Sequence, residues 1–302
     1  MTNPATLDTP TVPAMRAAFA YCADVTRRHS STFYLGSALL APRQRKAVRV
    51  VYAVCRSGDD AVDEAPNPVE AKRRLEAWWD QVERAYRCEA DLTRPLGRAL
   101  DWLLARYDVP FHAFEELRLG LVSDLTRQRV DTVDELLVYC RRVGGVIGLL
   151  VAPICGYRGG DRTLADALAL GEAMQLTNIV RDVGEDFARG RIYLPSELLE
   201  RHGVTVGDLR SGVPSRRYQA LLHELVVLAD SLYRRGWGGI GKLEGTAAWA
   251  VAFAALNYQA ILAKVEKNGY DNLTRRAFVA PLERVSLLPR TVALVLAGRT
   301  GR

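Results

Sequence analysis

The sequence predicts an all-α protein, on three observations. Nearly every long segment repeats its apolar residues at helical spacing, almost none alternates as a strand would, and the breaks are short Pro- or Gly-containing turns. With 302 residues, no low-complexity linker and no fixed-period repeat, one helical domain over 1–302 is expected, its core running from about 17 to 290.

The elements follow in order. Helices are expected at 14–29 and at 42–62, the second closed by "EAPNP" at 64–68. Further helices are expected at 68–87, at 94–107 before "DVP" (108–110), at 112–125 and at 132–155, the last closed by "GYRGGD" (156–161). The remainder reads as helices at 162–186, 216–235, 245–268 and 273–289, with a loose tail after Leu287. "VGGVIGLLVAPICGY" (143–157) is too short to span a bilayer. "GTAAWAVAFAALNYQAILAKV" (245–265) carries Asn257 and Gln259, so both read as buried core helices.

Composition narrows the class. Hydrophobic residues make up 49% of the chain and charged residues 25%, which excludes wholesale disorder. The formal charge of +6 points to an anionic partner, but Lys and Arg are dispersed among acidic neighbours, which argues against nucleic acid. Five cysteines, none spaced Cys-x-x-Cys, fit a reduced cytoplasmic setting better than a zinc ribbon or disulfide framework. "MTNPATLDTP" has neither a basic patch nor an apolar run of the signal-peptide kind.

Chemistry concentrates in two stretches. In "QLTNIVRDVGEDFARGRIYLP" (175–195), Gln175, Asn178, Asp182 and Asp186 fall within an arc of roughly 80° on an otherwise apolar helix. In "VYAVCRSGDDAVDEAP" (51–66), Tyr52, Arg56, Asp59 and Asp63 share an arc of roughly 60°, with Asp60 on the flank. Each stripe alone could face water. Two carboxylate pairs on apolar helices far apart in sequence instead suggest an inward-facing site, where like charges need a cation. Hard carboxylate oxygens suit Mg2+, which bridges one or two carboxylates to a substrate phosphate. Arg45, Arg56, Arg181 and Arg191 lie on or beside the same helices, and their planar forks suit a diphosphate. "GWGGIG" (236–241) spells a dinucleotide fingerprint but follows a helical run, "HELVVLADSLYRRG", so its glycines are read as ending a helix and starting a turn.

"HSSTFYLGSALLAPRQRKAVRVVYAVCRSGDDAVDE" and the 175–195 stretch resemble the paired aspartate motifs of the squalene and phytoene synthase family, the head-to-head prenyl transferases. "YCRRVGGVIG" (139–148) and "GYDNLTRRAFV" (269–279) extend the likeness, which is greatest to bacterial phytoene synthases. The resemblance implies an isoprenoid synthase fold, one helical bundle around a central cavity, with Asp59, Asp63, Asp182 and Asp186 holding Mg2+ or Mn2+ and Asn178 and Gln175 near the metals. It also implies that Arg45, Arg56, Arg181 and Arg276 meet diphosphate, Arg275 competing for the last role, and that His29 and Ser30 serve the phosphate end. Tyr52 and Tyr139 match aromatic positions near the reacting carbons, and Tyr258 a further cavity tyrosine. The implied activity is condensation of two geranylgeranyl diphosphates to phytoene without NADPH, in the cytoplasm, with peripheral contact to the inner membrane face and to downstream carotenoid enzymes. Farnesyl diphosphate is the alternative substrate, its choice set at the cavity floor by such residues as Val143, Ile147 or Leu150. A non-catalytic scaffold of the same fold is the alternative of another class, opposed by the completeness of both acidic clusters.

Overall fold

The computed structural model describes residues 12–126 and 129–300. Among these, helices account for all regular structure, with only two isolated β-bridges, Arg129 to Ile192 and Tyr157 to Leu243. The first part of the bundle comprises α1 (Val12–His29), α2 (Ser31–Ala38), α3 (Pro42–Asp63), α4 (Pro68–Tyr86), α5 (Pro95–Leu104) and α6 (Phe111–Thr126). Then come α7 (Val133–Cys140), a π-turn (Arg141–Gly145), α8 (Val146–Cys155) and the long α9 (Gly160–Ala188). The chain closes with α10 (Ser196–His202), α11 (Val206–Ser211), α12 (Arg216–Ile240), α13 (Ala247–Lys267), α14 (Pro281–Ser286) and α15 (Leu288–Thr300).

Local signals explain the boundaries. Pro42, Pro68 and Pro95 each open a helix, where the missing N–H costs nothing. Side chains of Ser30, Asn67, Thr132, Thr205 and Ser215 cap five N-termini. α9 runs through the bundle, packing on α12, on the π-turn with α8, and on α13. α3 packs between α1 and α4. Val50, Val51, Ala53 and Val54 are sealed in the core on α3, as are Ala173, Leu176 and Val180 on α9, so both acidic helices are gripped along their length. Burial of this kind stabilises each large apolar side chain by roughly 1.5 to 3 kcal/mol.

Several expectations need correction. The helix expected over 273–289 does not form across 273–280, because Asn272 is pinned inside the ladder of α9; helix resumes only at Pro281. The tail expected to be loose is α15, which buries Thr291 and Val295 and packs on α13. The 132–155 helix is interrupted by the π-turn. α2, α10 and α11 were not foreseen, being too short to show a helical repeat. The "GWGGIG" glycines do not begin a turn at once: α12 continues to Ile240, and a Cβ on Gly236 would stand 2.8 Å from Leu170 Cβ, so that glycine serves helix packing. The longer helical runs that contain these stretches, Val133–Cys155 and Ala247–Lys267, are long and apolar enough to cross a membrane, yet both are built into the bundle, burying Leu136, Val146, Leu150, Ala252 and Leu256 among others.

Candidate active site

The two acidic motifs occupy the C-terminal ends of α3 and α9, and the structure brings those ends together. Arg191, three residues past α9, donates from Nη1 to Asp63 Oδ1 at 2.7 Å. Asp59 lies one turn inward of Asp63. Burial pushes its carboxyl up to about 7 against the pull of Arg56, with Asp63, Asp124 and Asp60 adding repulsion. Burial likewise raises Asp186 to about 7, helped by Asp182 and opposed by Arg191 and Arg189. Asp182 behaves oppositely: burial disfavours its charge, but Arg181 and Arg276 outweigh that and hold the carboxyl below its ordinary value. Arg181 Nε reaches Asp182 Oδ1 at 2.7 Å and Arg276 Nε reaches it at 2.8 Å.

Arg276 arrives there by a specific crossing. Gly184 N–H donates to Asn272 O at 3.1 Å, and Asn272 Nδ2 donates to Val180 O, the two helix groups that would otherwise pair with each other. Tyr218 secures Asn272 from behind, its hydroxyl donating to Asn272 Oδ1 at 2.5 Å. A Cβ on Gly184 would stand 2.2 Å from Leu273 O, so only glycine admits this approach. Arg276 is thus the arginine at Asp182, while Arg275 is largely exposed and turns to Asp271 at 3.6 Å.

The other expected residues divide. Gln175 and Asn178 sit two and one turns inward of Asp182, with Asn178 Nδ2 donating to Gln175 Oε1 at 3.3 Å. Arg56 pairs with Asp60 at 2.5 Å beside Asp59. Tyr52 stacks on Phe33 with ring centroids 4.9 Å apart; burial raises its hydroxyl pKa, with Tyr258 nearby and Ser30 in hydrogen-bond contact. Ser30 also caps α2, accepting from Phe33 N–H at 3.2 Å. His29 ends α1 and is exposed. Arg45 is not with the acidic pair. It lies near the start of α3, roughly 21 Å along the axis from Asp59, and its guanidinium Nη2 donates to the Leu40 carbonyl at 3.5 Å. Proximity in sequence misled there, because helical rise carries fourteen residues across most of the bundle. Of the residues named for the cavity floor, Leu150 is fully buried, while Val143 and Ile147 are partly buried against the core.

Two residues of the candidate site, Asp124 and Tyr193, were missed by sequence reasoning. Asp124 on α6 accepts from the Tyr193 hydroxyl at 2.7 Å and from the Tyr139 hydroxyl at 3.1 Å, the two hydroxyls being 3.2 Å apart and the rings stacked at 4.9 Å. Burial pushes Asp124 up to about 6, against Tyr193, Arg191 and Tyr139. A depression of about 270 Å3 lined by Asp124, Tyr139, Tyr193 and Arg191 opens here, and one of about 220 Å3 lies beside Asp186 and Phe187. A lone aspartate on α6 carries no motif; only "RIYLP", which supplies Tyr193, hinted at the pair.

No three His, Cys, Asp or Glu side chains among the described residues gather closely enough to hold an ion by themselves. The donors nevertheless suit Mg2+, which takes one or two carboxylates and completes its shell with water and phosphate. Asp59 and Asp186 are raised carboxyls whose repulsion a cation would relieve, and Asn178 Oδ1 is a buried acceptor with no hydrogen-bond partner. Asp63 and Asp182, now held by arginines, would complete such a donor set.

Comparison with known proteins bears on family and fold. The family model for squalene/phytoene synthase matches residues 26–283. A phytoene synthase of Thermus thermophilus is 50% identical over 269 residues, covering 88% of this chain and 89% of the relative. A 15-cis-phytoene synthase of Synechococcus elongatus is 34% identical, covering 91% and 92%. Among solved structures, a dehydrosqualene synthase superposes with a TM-score of 0.87 at 30% identity, over 94% of this chain and 99% of that one. A squalene synthase of Alicyclobacillus acidocaldarius gives 0.77 at 29% identity, over 86% and 97%. With facing acidic helix ends, flanking arginines and an all-helical frame shared along nearly its whole length, this chain belongs to the squalene/phytoene synthase family.

Proposed function

We propose that this protein is a phytoene synthase, joining two geranylgeranyl diphosphates head to head and releasing both diphosphates. The observation that carries this reading is the 50% identity with the Thermus thermophilus phytoene synthase, nearly end to end, on a chain whose acidic ends face one another through Arg191 and Asp63. Two diphosphates and two protons leave and no hydride enters, so the balance calls for no NADPH.

Asp59, Asp63, Asp182, Asp186 and Asn178 are the residues that would hold Mg2+ or Mn2+. The bound cation would supply charge stabilisation to a departing diphosphate. Arg56, Arg181, Arg191 and Arg276 add positive charge aimed at the same end, where preorganised donors contribute several kcal/mol to the transition state. Tyr52 stacked on Phe33, with Tyr258 near, offers aromatic faces to an allylic cation, worth roughly 0.5 to 2 kcal/mol each. An allylic cation needs apolar surroundings that keep out water, which would quench it as an alcohol. Tyr139 and Tyr193, bound to Asp124, hold hydroxyl oxygens in fixed positions at the edge of the site, suited to orienting the reacting chain.

The second reading is a farnesyl diphosphate substrate, favoured by the dehydrosqualene synthase among the structural relatives. One incubation decides. Purified protein is given geranylgeranyl or farnesyl diphosphate, with Mg2+ or EDTA and without NADPH, and the organic extract is examined by chromatography and mass spectrometry. Phytoene from the longer substrate, absent with EDTA, is the expected result; a C30 product alone would move the protein to the second reading. We place the enzyme in the cytoplasm, held peripherally at the inner membrane face, because its substrate is an amphiphile and its product a hydrocarbon.

A further inference from the structure

The π-turn between α7 and α8 is wedged between α6 and α9, which carry Asp124 and the Gln175–Asp186 stripe. Val146 N–H reaches back five residues to Arg141 O, so the turn holds one residue more than an α-helix allows and rotates α7 relative to α8 by roughly 100°. With that rotation Tyr139, near the end of α7, meets Asp124 on α6, which accepts from its hydroxyl at 3.1 Å. The other side of the turn lies on α9. A Cβ on Gly144 would stand 2.5 Å from Gln175 Cβ, and one on Gly171 would stand 2.3 Å from Gly144 O, so backbone meets backbone next to Gln175.

Successive arginines tie the turn in opposite directions. Arg142 Nε donates to Glu116 Oε2 on α6 at 3.1 Å, and Arg141 Nε donates to Glu172 Oε1 on α9 at 2.7 Å. The two pairs differ in burial: Glu116 is solvated, whereas the Glu172 side chain is 4% exposed. Glu172 stands one turn before Gln175, on the flank of the stripe that continues to Asn178, Asp182 and Asp186. An apolar side chain would fill this place at lower cost, since removing a carboxylate from water offsets most of the attraction to its partner.

We propose that Arg141 and Glu172 are positioning residues: their ion pair clasps the π-turn to α9 and so fixes Tyr139 against Asp124 and Gln175 beside Asn178 for the reaction. The proposal rests on the reading of this site as one that joins prenyl diphosphates. Glu172 lies ten residues, roughly 15 Å, along α9 from Asp182. Loss of the pair therefore acts on turnover through Tyr139 and Gln175 rather than through the diphosphate end.

The test compares Glu172→Gln, Arg141→Met and the double variant in the full chain, with turnover followed as diphosphate release from whichever prenyl diphosphate the wild type consumes. Glu172→Gln keeps the shape of the side chain and removes its charge. Each single variant is expected to lose at least about tenfold in kcat with KM within about threefold of wild type, because a misplacement on the order of 1 Å costs up to about a hundredfold. The double variant should lose no more than the worse single one, as for two residues acting as a unit. A fall in melting temperature with kcat per folded molecule unchanged overturns the proposal, as do losses that multiply in the double variant. Hydrogen exchange of the substrate-free protein is the second readout: segment 139–148 should exchange faster in Glu172→Gln while α4 stays protected as in wild type. Unchanged exchange over 139–148 overturns the proposal as well. Because exchange is read without substrate, a wild type that consumes no prenyl diphosphate refutes the functional reading and leaves the clasp to be decided by exchange.

Discussion

Arg191 donates to Asp63 Oδ1 at 2.7 Å across a separation of 128 residues, and this contact joins the ends of the two acidic helices. Both side chains remain partly solvated, so the pair contributes less than about 1 kcal/mol to stability. Arg191→Gln is expected to melt within a degree or two of wild type while losing on the order of tenfold or more in kcat/KM, measured by product formation against substrate concentration.

Asp59 and Asp186 carry the clearest pH signature. Both carboxyls sit at about 7 in the folded chain, above the ordinary aspartate value of about 4 in the unfolded one. The folded state therefore keeps protons that the unfolded state releases, and the stability of the metal-free protein should fall as pH rises from about 4 to about 7. Asp59→Asn is expected to flatten that slope and to gain about 1 kcal/mol at pH 7 in EDTA, while abolishing turnover. Melts at several pH values in EDTA and in Mg2+ check this; a variant that unfolds would make the carboxylate structural.

The Asp124, Tyr139 and Tyr193 group should respond to loss of either partner. Tyr193→Phe removes the 2.7 Å bond to Asp124 and is expected to cost about 0.5 to 1.5 kcal/mol of stability. Asp124→Leu removes the carboxylate that accepts from both hydroxyls and leaves that of Tyr193 without an acceptor, so it should cost more, with a drop in kcat exceeding any change in KM. Urea denaturation and steady-state kinetics together separate the two effects.

Gly184→Ala reverses the usual sign of its substitution. In an exposed helix the change would stabilise by about 1 kcal/mol, but here the new Cβ meets the Leu273 carbonyl at 2.2 Å. Displacing that segment also withdraws Arg276 from Asp182. We expect a loss of at least about 2 kcal/mol by denaturant titration, with turnover reduced beyond the loss of folded protein.

Arg276→Ala and Arg275→Ala form a matched pair. Arg276 touches Asp182 and Glu185, whereas Arg275 is solvent-facing. Only the first should lower kcat/KM, by roughly tenfold or more, in parallel assays of the two variants.

The sequence by itself determined the helical class and the two acidic stripes, because apolar period and carboxylate spacing are local properties that a 3.6-residue repeat converts into faces. It likewise determined the family, since the 175–195 motif is long and specific. Arg45 was misplaced although its separation was legible, since fourteen residues of one helix put it roughly 21 Å from Asp59. Local signals could not reveal Asp124, one acid among many until packing delivers it to Tyr139 and Tyr193. The expected helix over 273–280 failed for the same reason: Asn272 bonds to Val180 and Gly184, a partnership across about ninety residues that outweighs local propensity. Tertiary structure alone decided which arginine reaches Asp182 and which apolar side chains stay uncovered, because both depend on where distant segments cross rather than on what each would do alone.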